Sequence, residues 1–419
     1  MARERVVLVG VALPSVPLNR VEEHLDELAA LVDTAGGTVV LRVAQDRDRL
    51  DPATCIGKGK VEELAQRCKE DALDLVVFDD DLTPAQARNL EKALGTRITD
   101  RTGVILDIFA RRARTREAMT QVELAQYTYL LPRLTRAWTH LSRQAGGIGT
   151  RGVGETQLET DRRVIRTRIR HLKGELERIA SHRRTQRRRR RRSLEAALVG
   201  YTNVGKSSLM NRLASADVVV ENRLFSTLDT TYRSLHLEGF TQEILLSDTV
   251  GLVRKLPHHL VASFRSTLEQ AAQADLLLHV VDVSHPSFEE QARTALSVLA
   301  DLNLGEIPTL TLFNKTDRAP RPVLERAASL FPDSIPVSAL TGEGLEELKA
   351  RMARAFTEIL GGAVLLIPHE AWPGAQAALA SARILRTTYR PEGVQVTVQA
   401  SEGDLKALQA ALGADVSRV

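Results

Sequence analysis

The spacing of hydrophobic residues changes twice along this chain. Up to about residue 108, short apolar runs alternate with amphipathic stretches. VVLVGVAL (Val6 to Leu13) precedes the helical VEEHLDELAALVDTAGG, and TVVLRVA precedes a helix that begins near Gly59. The strand-like LVVFDDD is followed by PAQARNLEKALG, with proline at its start, and by the short strand TRITD. Strands alternating with helices predict a small parallel sheet covered by helices.

The period then lengthens. Leu124, Tyr127, Leu131, Leu134, Trp138 and Leu141 recur at intervals of three and four, as do Ile165, Ile169, Leu172, Leu176 and Ile179. Between the two series lies the glycine-rich GGIGTRGVGE, Gly146 to Glu155. Two heptad-like helices joined by a short loop predict an antiparallel hairpin with that loop at its tip. Pro132 interrupts the first series and predicts a kink. From Leu194 to about Gly361 strand and helix alternate again, with EAALVG, EILLSD, ADLLLHVVD, IPTLTLFNK and SIPVSA as buried strands. From Ala363 onward VLLIP, a helix, the hairpin ILRTTYR-PEG-VQVTVQA and a final helix predict a small α+β domain. The expected class is α/β, in four domains: 1–114 (α/β), 115–192 (helical hairpin and basic linker), 193–361 (a second α/β domain) and 362–419 (α+β).

Composition narrows this picture. A chain of 419 residues is too long for a single core, and 43% hydrophobic with 26% charged residues fits a soluble globular protein. No apolar run approaches the ~20 residues that span a bilayer. Val6 to Leu13 lacks a convincing cleavage site and reads as a buried first strand, not the core of a signal peptide. Cys55 and Cys68 make neither a disulfide framework nor a metal set. The expected location is the cytoplasm, with peripheral membrane association as the alternative, and the expected state is a monomer.

Charge is unevenly spread. Between Arg162 and Arg192 stand fourteen arginines and one lysine against Glu175 and Glu177, a local balance of +13 in a chain whose total is +4. Such a block marks a polyanion partner or a solvated linker. Only ten of the 57 basic residues are lysine. The lysines that persist in an arginine-rich chain are candidates for sites that need a compact ammonium. Among them are Lys58 and Lys60 of GKGK, Lys206 and Lys315.

Two of these lysines lie in recognisable motifs. GYTNVGKS (Gly200, Tyr201, Thr202, Asn203, Val204, Gly205, Lys206, Ser207) stands between a strand and a helix and matches the P-loop pattern G-x-x-x-x-G-K-S. Its backbone N–H groups close around phosphates, Lys206 reaches the β- and γ-phosphates, and the Ser207 hydroxyl ligates Mg2+. DTVG (Asp248, Thr249, Val250, Gly251) follows the strand EILLS, so Asp248 is placed to hold Mg2+ through water and the Gly251 N–H to sense the γ-phosphate. NKTD (Asn314, Lys315, Thr316, Asp317) offers a carboxylate to the paired N–H donors of guanine, and SAL (Ser338, Ala339, Leu340) a backbone N–H to the guanine carbonyl. Each tetrapeptide is weak alone, but four in order at strand ends point to GTP and GDP. The threonine of the first switch lies in FSTLDTTYR, where spacing does not choose among Thr227, Thr230 and Thr231. By contrast, GGIGTRGVGE follows a helix and lacks the lysine–hydroxyl pair, so it is a flexible tip that offers Arg151, between Gly149 and Gly152, to RNA phosphates.

These residues, together with GKGKVEEL, DRTGVILDIFARRART, QVELAQ and GGIGTRGVGETQLETDRR, resemble the HflX family of translation-factor-related GTPases over nearly the whole chain. The resemblance makes FSTLD (Phe225, Ser226, Thr227, Leu228, Asp229) the first switch, with Thr227 as the Mg2+ ligand. It also implies RNA contact by Lys58 and Lys60, where a solvated turn is the plainer reading. By the same resemblance the partner is the large ribosomal subunit with its ribosomal RNA. The activity is splitting of stalled or idle ribosomes, notably under stress, with the hairpin tip carried toward the peptidyl-transferase region. The family reads DTVGF where this chain has Leu252, so a bulky apolar residue is kept. Many GTPases instead place a water-orienting glutamine there. Leucine cannot orient water, so turnover without a partner should be slow. Asn203 either coordinates K+, as in some GTPases, or caps the loop. A GTP-dependent RNA chaperone and a GTP-switched binding module are the competing functions.

Overall fold

A computed structural model describes residues 3–134, 157–189, 194–214, 225, 231–237, 244–249, 251–254, 272, 274–302, 304–360, 362–379 and 382–399, together with 405, 407, 408, 410 and 415–418. These residues fall into two compact units: those up to Arg183 together with Phe225, and the remainder.

The first unit begins with β1 (Glu4–Ala12), α1 (Leu18–Thr34), β2 (Gly37–Asp46), α2 (Lys58–Glu70), β3 (Leu75–Phe78), α3 (Pro84–Leu94) and β4 (Arg97–Asp100). The strands form a parallel sheet of order β2-β1-β3-β4, as the alternating pattern predicts. Val7, Val9 and Val11 of β1 share one buried core with Val61, Leu64 and Cys68 of α2 and Leu90 and Leu94 of α3. Cys55 and Cys68 are both buried in that core and form no disulfide. Helix α3 starts on a capping box in which Thr83 and Gln86 satisfy each other's backbone N–H, with Pro84 at its first position.

The DRTG segment turns out to be structural. Asp100 caps α4 (Arg101–Arg112) through the Gly103 N–H at 3.0 Å. The same carboxylate accepts from Tyr129 Oη (2.8 Å), Leu82 N (3.1 Å) and Arg133 (2.8 Å). Burial raises the pKa of this carboxyl, while Arg133 and the other donors pull it back. Arg101 is 1% exposed and bridges Asp79 and Glu27, each at 2.9 Å. In a packed interior such a charge persists only because both partners face it.

The hairpin follows as α5 (Arg116–Leu130) and α6 (Gln157–Arg189). Arg168 grips both oxygens of Glu123 and Arg116 meets Glu175, which sets an antiparallel register. Leu124 and Leu172 are buried, while Ile165, Ile169, Leu176 and Ile179 are half-buried along the inner stripe. Pro132 does more than kink the first helix. α5 ends at Leu130, and Leu131–Arg133 tighten into a 3-10 turn, because proline offers no N–H and its ring crowds the preceding turn. Trp138, Leu141 and the tip residues Gly149, Arg151 and Gly152 lie outside the described residues.

The second unit holds β5 (Leu194–Gly200), α7 (Lys206–Leu213), β6 (Thr231–Leu235), β7 (Ile244–Asp248), β8 (Leu276–Asp282), α8 (Phe288–Asp301), β9 (Thr309–Asn314), α9 (Arg321–Leu330), β10 (Ile335–Pro336) and α10 (Leu345–Leu360). The sheet order is β10-β9-β8-β5-β7-β6, parallel except for the edge strand β6. The polar segment TYRSL of β6 carries no buried apolar run, and Thr231 opens it as a strand threonine. The chain continues through β11 (Gly362–Ile367), α11 (Trp372–Leu379), β12 (Arg383–Arg390), β13 (Gly393–Gln399) and β14 (Asp415–Arg418), an antiparallel sheet of order β12-β13-β11-β14. Leu405, Ala407, Leu408 and Ala410 are helical, so the order of elements is the split βαββαβ arrangement. Among the described residues no helix is long and apolar enough to cross a membrane.

Replacing Asp79 with alanine removes one of the two carboxylates that Arg101 bridges and should cost about 3 kcal/mol of stability. Urea denaturation measures this, and a loss below about 1 kcal/mol, the range of a surface pair, would contradict a structural role for DRTG.

Candidate guanine-nucleotide site

Strand β5 is buried along its length and ends at Gly200, where the chain turns through the P-loop into α7. Gly205 caps the helix at φ 95, and a Cβ there would lie 2.3 Å from Asn314 Nδ2. Only glycine suits that combination. Asn203 adopts φ 61, a region that asparagine tolerates better than most residues. The Lys206 ammonium is buried and donates to Gly200 O (3.0 Å) and Tyr201 O (2.7 Å). Burial lowers its pKa to about 8, against the opposing pull of Asp248.

Strand β7 runs parallel to β5 and delivers Asp248 beside the first turn of α7. The Ser207 hydroxyl donates to Asp248 Oδ2 at 2.6 Å, and Asp248 is fully buried. Thr249 anchors the turn by donating to Leu198 O at 2.7 Å. Beyond it, Leu252 N donates to Gly200 O (2.9 Å) and Thr202 N to Leu252 O (2.8 Å), a parallel bridge between Tyr201 and Leu252. Gly251 lies against the loop so closely that a Cβ would come 2.8 Å from Thr202 Cα.

The NKTD and SAL motifs close the other side. Asn314 ends β9 and is buried; its Nδ2 donates to Val204 O at 2.7 Å and its Oδ1 accepts from Ala339 N at 3.0 Å. Lys315 donates to Asn203 O at 2.8 Å and to Asp282 at 2.6 Å. Asp317 accepts from Ser338 Oγ at 2.6 Å, and Thr316 donates to Val337 O at 3.1 Å. The P-loop, Asp248, Gly251, NKTD and SAL are therefore brought together at the carboxyl ends of β5, β7, β9 and β10.

Other sequence candidates lie elsewhere. Phe225 is 2% exposed and packs edge-on against Phe109 of α4, with ring centroids 4.7 Å apart. Ser226, Thr227, Leu228, Asp229 and Val250 lie outside the described residues. Lys58 is exposed at the start of α2, and Lys60 pairs with Glu63 at 2.8 Å. Two contributors were missed. Arg212 of α7 holds the SAL loop through Leu340 O at 2.8 Å, and Asp282 holds Lys315. Asp282 was detectable, since it ends the apolar run LLLHVVD just as Asp248 ends ILLSD.

Three family models match the chain in succession: "GTP-binding GTPase N-terminal" over residues 22–110, "GTP-binding GTPase Middle Region" over 112–190, and "50S ribosome-binding GTPase" over 195–315. GTPase HflX of Flavobacterium psychrophilum is 51% identical over 314 residues, covering 75% of this chain and 76% of that protein. GTPase HflX of Escherichia coli K12 is 43% identical over 367 residues, covering 87% and 84%. Among solved structures, the SsGBP–GDP complex is 23% identical with a TM-score of 0.48, covering 84% of this chain and 98% of that one.

The lowered pKa of Lys206 gives the site a pH signature. With a pKa near 8, the nucleotide-free protein should shed this proton above about pH 8, and phosphates placed opposite the ammonium would retain it. GDP affinity should therefore fall about tenfold between pH 7 and 9, with proton uptake on binding at the higher pH. Calorimetry in buffers of different ionisation enthalpy checks this; binding at pH 9 without proton uptake would contradict it.

Proposed function

The chain belongs to the HflX family of GTPases, and from that premise we propose that it acts on the large ribosomal subunit, hydrolysing GTP as it separates stalled or idle ribosomes into subunits. The observation that carries this reading is the succession of three family models, ending in the ribosome-binding GTPase model over 195–315. The basic helix α6 supports it, since phosphate-rich RNA is the natural partner of such charge. In this reading Arg151 with Gly149 and Gly152 at the hairpin tip, and Lys58 and Lys60 on α2, touch ribosomal RNA.

Within the nucleotide site, the P-loop amides and Lys206 hold the phosphates, and Gly251 N–H faces the γ-phosphate. Asp317 and the SAL backbone select guanine. The Ser207 hydroxyl and Asp248 carboxylate, 2.6 Å apart, are hard oxygen groups that suit Mg2+, with Ser207 and Thr227 as ligands and Asp248 holding the ion through water. When bound, the ion neutralises charge on the β- and γ-phosphate oxygens. Leu252 is buried and has no group to orient water, so the large subunit supplies the stimulus by ordering the switches.

Sedimentation of intact ribosomes with the protein and GTP should yield free subunits, and purified large subunits should accelerate GTP turnover. RNA unwinding without subunit separation, or binding alone, would overturn the splitting reading. An unchanged turnover rate would overturn the proposed stimulation.

The Asn203 side chain is exposed at the turn of the P-loop. That leaves it available to K+. Turnover should be several-fold faster in potassium than in sodium salts, and equal rates would remove K+ from the mechanism.

A further inference from the structure

Lys315 occupies the junction between the guanine-recognition loop and the P-loop, and a residue outside both motifs holds it there. Its backbone is left-handed, at φ 66 and ψ 35. A residue with a side chain stays in that conformation when its surroundings hold it. The Lys315 ammonium donates to Asn203 O of the P-loop at 2.8 Å and to Asp282 Oδ2 at 2.6 Å. Asp282 is the last residue of β8 and stands in register opposite Asn314 of β9. Its other oxygen, Oδ1, accepts from Ser284 N at 3.1 Å and from Ser284 Oγ at 2.6 Å. The carboxylate is thus oriented by the turn that follows β8, and its second oxygen is aimed at the lysine.

The pair is poorly hydrated, with 14% of the Asp282 side chain and 21% of the Lys315 side chain exposed. Screening by water and salt is correspondingly weaker than for a surface pair. We propose that Asp282 is a positioning residue for guanine nucleotides. By holding the Lys315 ammonium against Asn203 O, it locks the NKTD loop to the P-loop and so sets the gap into which base and phosphates must fit together. This rests on the reading of NKTD as the guanine-recognition loop. Asp282 acts through Lys315 and belongs to none of the nucleotide-binding motifs.

The prediction separates binding from chemistry. Asp282→Asn keeps the Oδ1 acceptor for Ser284 but removes the charge facing Lys315. It should raise the Kd for GDP and the KM for GTP about tenfold while leaving kcat within about twofold. Asp282→Glu retains the charge one methylene away and should lose less than Asp282→Asn. Ser284→Ala removes the hydroxyl's hydrogen bond to Oδ1 but keeps the backbone N–H donor and the ion pair, and should lose less GDP affinity than Asp282→Asn. GDP titration by calorimetry and steady-state GTP hydrolysis on the full chain read all four proteins. If Asp282→Asn does not fold, Asp282→Glu carries the test through a smaller rise in Kd at unchanged kcat. Wild-type GDP affinity in the folded Asp282 variants would overturn the proposal, as would a Ser284→Ala loss equal to that of Asp282→Asn. A wild-type protein that fails to bind GDP would overturn the guanine-loop reading instead.

Discussion

In a parallel sheet every strand points the same way, so every strand's carboxyl end reaches the same edge. The nucleotide site depends on that constraint. β5, β7, β8 and β9 are parallel neighbours, and each is an apolar run that stops at a residue of different chemistry, respectively Gly200, Asp248, Asp282 and Asn314. Residues more than a hundred positions apart in sequence therefore meet within hydrogen-bonding distance, as Asn314 does with the carbonyl of Val204. Hydrophobic burial holds the strands, and the strands hold the polar groups in place. The hydrogen bonds at the edge add precision to an arrangement the core already dictates.

The N-terminal sheet shows the same geometry used differently. Asp79 and Asp100 also stand at the carboxyl ends of parallel strands, but their charges are consumed internally. Asp100 receives four donors, from a helix cap, a loop, α5 and the 3-10 turn that follows it, while Arg101 lies between two carboxylates. Buried ionic groups of this kind contribute little net stability when intact but make alternative packings costly. Asp100 and Arg101 of DRTG are thus both engaged by partners within the N-terminal unit.

Legibility in the sequence followed burial. Strands buried on both faces, such as VVLVGVA and LLLHVVD, announce themselves as apolar runs, and the motifs at their ends could be placed on an edge without coordinates. The heptad stripe of α5 and α6 was equally plain, and Leu124 and Leu172 within it are buried. What could not be read was whatever lacked an apolar signature. β6, with its alternating TYRSL, and β14, with DVSR, are short, polar edge strands whose pairing is decided by their neighbours. Pro132 marked a disturbance, but only the backbone accounting of the last turn decided that α5 would stop. Arg212 contributes through a tertiary contact to Leu340 that no local pattern encodes, whereas the end of LLLHVVD marks Asp282 but not its partner, Lys315.

The bridge between Tyr201 and Leu252 extends the β5–β7 pairing beyond the strands and into the loops. Two backbone hydrogen bonds stitch the P-loop to the segment after Gly251, with Gly251 pressed against Thr202. The two loops are in effect one mechanical part. A displacement of the chain at Leu252 either strips these two hydrogen bonds or carries the Gly200–Thr202 segment along. A pull on Leu252 is thereby a pull on the glycine-rich turn that closes β5.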